Sequence, residues 1–223
     1  MASLFERLKA DCAQDWQDYT HHAFVEQMRM GTLPLAAFQD YLVQDFLFLI
    51  QFARAYALSV YKSRSLAEMR AGLGGLKAIM DVEMELHLRM CDRWGLAAVD
   101  LEQVPEKTQT IAYTRFVLEA GNAGDLLDLY VALAPCMIGY GEIGARLVEQ
   151  QGEDNPYAEW INEYASVEYQ ELVQATIGNL DDLAAVMMTE ARYPQLKRLF
   201  GSATRLESDF WQMGLDAGPV SPA

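Results

Sequence analysis

From residue 3 to residue 214, apolar side chains return every three or four positions, and no run alternates with period two between hairpin turn signals. A helix buries one face at that period and a strand does not. The chain is therefore expected to be all α. The periodicity predicts helices at about 3–19, 21–30, 35–62, 66–94, 107–121, 124–151, 157–177, 181–189 and 194–214. The breaks "GTLP" (31–34), "WGLAAVDLEQVP" (94–105), "GNAGD" (121–125), "QGEDNP" (151–156) and "IGNLDD" (177–182) carry helix-stop and turn chemistry. Short connections between long helices favour antiparallel neighbours, hence one helical bundle over residues 1–215. No repeat or composition shift marks a second domain. The glycines of "GLGG" (72–75) are expected to kink or divide their helix, and the tail "DAGPVSPA" (216–223) to fray.

Charge narrows the partners. Asp and Glu number 32 against 17 Lys and Arg, a net charge of −15, with no basic run. Such a surface repels phosphate backbones and anionic membranes, so neither nucleic acid nor membrane is expected as a partner. The apolar stretch "FLFLIQFARAYALSVY" is broken by Gln51 and Arg54 and is too short to cross a bilayer. The start of the chain shows no basic segment followed by an apolar one. Cys12, Cys91 and Cys136 are an odd set without metal-type spacing, which points to reduced thiols and a cytoplasmic location.

Polar residues in line with apolar stripes carry the functional information, because an unpartnered buried carboxylate costs several kcal/mol. Asp45 lies within the stripe Tyr41, Leu42, Phe48, Leu49, Phe52; its bland explanation is pairing with an Arg or capping of a neighbouring helix. Glu207 lies in or beside the stripe Leu199, Phe200, Ala203, Phe210, Trp211, where a boundary residue paired with a surface cation is the alternative. Tyr113 and Tyr164 share faces with apolar neighbours, as core tyrosines also do. In "YVALAPCMIGYGEIG", Pro135, Cys136, Gly139 and Tyr140 share one face. Pro135 cannot donate to the carbonyl of Val131, and the glycines let either a ligand or another helix approach. Glu83 and His87, one turn apart, have the spacing of a dimetal ligand pair, yet no histidine follows residue 87. They are expected to form a local pair, with Glu142 pairing with Arg146 and no metal bound. No phosphate loop, G-x-S-x-G elbow or CxxC pair is present.

"FQDYLVQDFLFL", "APCMIGYGEIG" and "LESDFWQMG", in this order and at these separations, resemble the thiaminase II (TenA) family over nearly the whole chain. The resemblance implies a haem-oxygenase-like helical fold, a homotetramer and no haem, metal or other cofactor. It also implies a role in thiamin salvage: hydrolysis of 4-amino-5-aminomethyl-2-methylpyrimidine, and of thiamin, to the hydroxymethyl pyrimidine. By motif position it places the nucleophile at Cys136, which puts the chain in the cysteine-bearing branch. The acidic residues fall at Asp45 and Glu207 and the pocket tyrosines at Tyr113, Tyr140 and Tyr164. Many members carry tyrosine where this chain has Phe48. Phe48, Tyr140 and Phe210 are candidates for stacking on the ring, Asp45 for holding its exocyclic amino group, Glu207 for a ring nitrogen, and Tyr113 and Tyr164 for ordering water or the thiol. Two other functions suit the same scaffold: a metal-dependent oxidase or oxygenase, and a regulatory protein that binds the pyrimidine without turnover.

Overall fold

The computed structural model describes residues 3–217; residues 218–223, most of the tail expected to fray, lie outside the described residues. Twelve α-helices follow in order: α1 (Leu4–Asp11), α2 (Ala13–Thr20), α3 (Ala23–Arg29), α4 (Leu35–Lys62), α5 (Leu66–Ala78), α6 (Met84–Asp92), α7 (Ala98–Leu101), α8 (Thr108–Ala123), α9 (Leu126–Val148), α10 (Ala158–Ala165), α11 (Val167–Met187) and α12 (Tyr193–Leu215). A π-helical turn, Ile79–Glu83, joins α5 to α6. Among the described residues there is no strand.

Several boundaries differ from the periodic reading. The first helix breaks at Cys12, whose φ of −117° and ψ of 30° leave the helical region. The segment expected as 157–177 breaks at Ser166, which is extended and whose hydroxyl accepts the Tyr169 N–H to cap α11. "IGNLDD" ends nothing: α11 runs through it, because burial of Val173, Thr176, Leu180 and Leu183 along one face outweighs one unfavourable glycine. The glycines at 72–75 do not divide α5 but seat it against α4; the irregularity comes one turn later, in the π-turn. The connection at 94–105 contains the short α7.

The core is built around α9, which packs against α2, α4, α8, α10, α11 and α12. Its start is fixed by a reciprocal cap: Asp125 accepts the Leu127 and Asp128 N–H groups, and Asp128 accepts that of Asp125. Among the described residues α9 alone is long and apolar enough to cross a bilayer, and 94% of its apolar window is buried inside the protein. The glycines of α9 serve helix packing. Tyr19 of α2 lies against Gly139, and the α10 backbone at Tyr164 lies against Gly144. They make room for neighbouring helices, and that close approach places Tyr164 beside α9.

A Cβ added at Gly144 would sit 2.5 Å from the carbonyl carbon of Tyr164, which is backbone and cannot rotate away. Gly144→Ala is expected to destabilise by about 1–3 kcal/mol. At about 2–4 °C per kcal/mol for a domain of this size, thermal denaturation would show the shift, and an unchanged Tm would contradict the packing.

Candidate active site

Five helices bring the sequence-predicted residues to one buried region. Asp45 and Phe48 come from α4, Tyr113 from α8, Cys136 and Tyr140 from α9, Tyr164 from α10, and Glu207 and Phe210 from α12. None is more than 5% exposed.

The Tyr113 hydroxyl donates to Oε1 of Glu207 at 2.8 Å. Glu207 is 1% exposed and pairs with no Lys or Arg, so it is not the surface-paired boundary residue that spacing allowed. Burial pushes its carboxyl up to about 8; the nearby Asp45 charge adds to this, and hydrogen bonds from Tyr113 and the Cys136 thiol work against it. Burial also holds the Cys136 thiol well above its ordinary value, reinforced by the charges of Glu207, Glu83 and Asp45. Both shifts favour the protonated thiol and the protonated Glu207 carboxyl. All three cysteines are free.

Asp45 has no arginine partner and caps no helix. Its Oδ2 accepts the Tyr41 hydroxyl at 3.0 Å and lies 2.6 Å from Nε2 of His87. Nδ1 of His87 lies 2.8 Å from the Glu83 carbonyl oxygen, which can only accept, so Nδ1 carries hydrogen. Burial works against a charged imidazole, yet the Asp45 charge and the hydrogen bonds to Asp45 and Glu83 raise His87 above its ordinary value. When protonated, both ring nitrogens donate, and the upward shift favours a buried ion pair with Asp45. The local Glu83–His87 pair expected from spacing is therefore a backbone contact; the His87 side chain belongs to Asp45. Glu142, expected to pair with Arg146, instead accepts from Lys9 and Trp16, while Arg146 pairs with Glu26. Among the described residues no group of three or more His, Cys, Asp or Glu side chains has the geometry of a metal site.

Aromatic rings wall the region on two sides. Phe48 lies 5.0 Å from Tyr113 and 5.5 Å from Phe210, centroid to centroid. Tyr140 lies 5.0 Å from Tyr164 and 5.2 Å from Trp211. Tyr41 joins the two sets, 6.1 Å from Phe210 and 5.0 Å from Trp211. Tyr113 is committed to Glu207, whereas the Tyr164 hydroxyl reaches Oε2 of Glu83 at 3.5 Å. Sequence reasoning passed over His87, Tyr41 and Glu83 as site residues. The signal in the sequence is a histidine one turn after a glutamate, and spacing alone gives it a local pair.

These carboxyls make stability depend on pH. Glu207 and Glu83 rise from 4.5 to about 8 on folding, so between those values the folded chain binds protons that the unfolded chain has released. Stability therefore falls as pH rises through that window, and His87, also raised, acts in the same direction. Chemical denaturation at both ends of the window is expected to give the lower stability at the alkaline end, with a shallower slope for Glu207→Gln. A stability that rises with pH there contradicts the assignment.

Fold and geometry together define a helical bundle with a buried, aromatic-walled cluster that combines a thiol with carboxyl groups. The chain belongs to the TENA/THI-4/PQQC family, which its residues 10–217 match. It is 39% identical to an uncharacterized protein of Haemophilus influenzae, over 96% of this chain and 99% of that one. It is 37% identical to the aminopyrimidine aminohydrolase of Halalkalibacterium halodurans, over 95% and 93% of the two chains. Among solved structures, a TenA family transcription regulator from Silicibacter superposes with a TM-score of 0.91 at 45% identity, covering 96% of each chain.

Proposed function

We propose that the protein is an aminopyrimidine aminohydrolase of the thiaminase II type, hydrolysing 4-amino-5-aminomethyl-2-methylpyrimidine, and thiamin, to the hydroxymethyl pyrimidine. The observation that carries this reading is the convergence of Cys136, Glu207 and Asp45, from three helices, on one buried aromatic region. Relatives named aminopyrimidine aminohydrolase, at 26–37% identity over most of their length, support it.

The reaction is slow in water because amines leave poorly and the ring resists attack. Asp45, oriented by His87 and Tyr41, accepts the exocyclic amino group of the substrate and fixes the ring. Glu207 links thiol to ring: one oxygen takes the proton from Cys136 while the other gives a proton to a ring nitrogen, and sulfur adds to the adjacent ring carbon. This addition is neutral overall. The ring electrons then expel the amine as ammonia, water bonds to the methylene and loses a proton to the departing base, and the sulfur leaves as one Glu207 oxygen takes the proton back from the ring nitrogen and the other returns a proton to sulfur. The net change is RCH2NH3+ plus water to RCH2OH plus ammonium. Phe48, Phe210 and Tyr140 stack on the ring. Phe48, in place of tyrosine, keeps the stacking face and omits one hydroxyl.

The family resemblance also supports a homotetramer acting in the cytoplasm. Tyr61 and Val186, 85% and 86% exposed, offer apolar surface that such an assembly would cover. Assaying ammonia release with the aminopyrimidine and thiamin side by side tests the activity. Thermal stabilisation by the pyrimidine without ammonia would instead mark a binding protein.

A further inference from the structure

Glu83 is buried, at 4% exposure, and the mechanism above does not use it. Its Oε1 has no hydrogen-bond partner, and its Oε2 meets only the long contact from Tyr164. A buried carboxyl oxygen without a donor is costly and calls for an explanation, and the charge coupling of Glu83 to Asp45 and Cys136 makes a substrate group a candidate donor. Glu83 also lines a surface cleft of about 210 Å³, together with Val82, Glu163, Ser166, Glu168 and Tyr169. Tyr169 also lines that cleft, and its hydroxyl donates to the carbonyl of Met137, the residue after Cys136. Glu83 therefore touches both regions: it lines the cleft with two further carboxylates, and Tyr164 of the buried cluster reaches its other oxygen.

The order of atoms around the substrate ring fixes which part would meet Glu83. From the nitrogen held by Glu207, the ring runs to the carbon attacked by Cys136, then to the carbon bearing the aminomethyl group, then to the carbon bearing the amino group held by Asp45. The aminomethyl group thus projects between Cys136 and Asp45. Glu83 is a further carboxyl near both: His87 connects its backbone carbonyl to Asp45, and its charge bears on Asp45 and on Cys136.

We propose that Glu83 is a specificity-determining residue that receives the cationic substituent on the substrate's methylene, and that the cleft it shares with Glu163 and Glu168 is the passage by which that group arrives and leaves. The proposal rests on the aminopyrimidine reading above. An ammonium group supplies the donor that Oε1 lacks, and in thiamin the same position carries the permanent cation of the thiazolium. Burial, followed by the Asp45 charge, pushes Glu83 up to about 8, and a cation beside it would favour its ionised form. The hydroxymethyl product carries no charge there, and its hydroxyl can donate to a glutamine oxygen as it does to a carboxylate.

That difference is the test. Glu83→Gln keeps the shape and removes the charge. It is expected to raise KM for the aminomethyl pyrimidine by roughly ten- to hundredfold, the scale of a charge-assisted hydrogen bond. The Kd of the hydroxymethyl pyrimidine is expected to move less than about twofold, far below the energy of such a bond. Equal weakening of both ligands, or no change in either, overturns the proposal. The paired surface change Glu163→Gln with Glu168→Gln, which leaves the buried site untouched, is expected to lower kcat/KM for the cationic substrate at low salt and to leave kcat unchanged. Should the Glu83 variant not fold, an unaltered kcat/KM in this surface pair overturns the proposal by itself. Wild-type protein that releases no ammonia sinks the aminopyrimidine reading; release that is indifferent to Glu83 and to the cleft carboxylates sinks this inference alone.

Discussion

Cys136→Ser is expected to abolish aminopyrimidine turnover while the protein folds normally. Serine is isosteric with cysteine, and at this position its hydroxyl retains the neighbouring Glu207 carboxyl as a partner, so the buried polar group is not orphaned. The chemistry is lost because an alkoxide is far harder to form than a thiolate in a site that already opposes negative charge on sulfur. The fall in kcat should be about 10⁴-fold or more, approaching the scale seen when a nucleophile is removed from a covalent enzyme. Binding of the hydroxymethyl pyrimidine should survive, since Asp45 and the aromatic walls remain. Unchanged turnover in the serine variant would refute a covalent route through Cys136.

Glu207→Gln is expected to give the second largest loss, on the order of 10²- to 10⁴-fold in kcat, the range of general acid–base contributions. The amide keeps the volume, and its oxygen still accepts from Tyr113, so the local packing persists. It cannot take the thiol proton and deliver another to the ring. The stability consequence runs the other way. An amide does not ionise, so the variant avoids the penalty that the buried carboxyl meets as pH approaches about 8, and near that pH it should be at least as stable as wild type. A variant with full activity, or one destabilised only at alkaline pH, would contradict the roles given to Glu207. Steady-state kinetics and denaturation on the same preparations measure both effects.

The helices and their burial were legible because one physical signal, the three-to-four residue return of apolar side chains, acts locally and leaves its trace in sequence. The polar positions on those stripes were legible for a related reason. Asp45 and Glu207 interrupt apolar faces, and the structure buries both. What sequence did not reveal is which long-range partner each polar group takes. Asp45 finds His87 from 42 positions away and Glu207 finds Tyr113 from 94, and no periodic pattern encodes such meetings. Spacing pairs His87 with Glu83 because the i, i+4 rule sees only one helix, whereas the buried histidine meets Asp45 of α4. The glycines of α9 were ambiguous between ligand and helix for the same reason: close approach is required in both cases, and only the packed neighbours, Tyr19 and the α10 backbone, decide it. The break at Ser166 escaped notice because one residue with extended backbone is enough to end a helix when its own side chain caps the next.

The measurement that bears most directly on the central claim is product analysis with wild-type protein, the aminomethyl pyrimidine and isotopically labelled water. Hydrolysis through the proposed route gives one ammonia for each hydroxymethyl pyrimidine, with the label in the new hydroxyl group. Binding of the pyrimidine without ammonia, or ammonia without labelled alcohol, would contradict it.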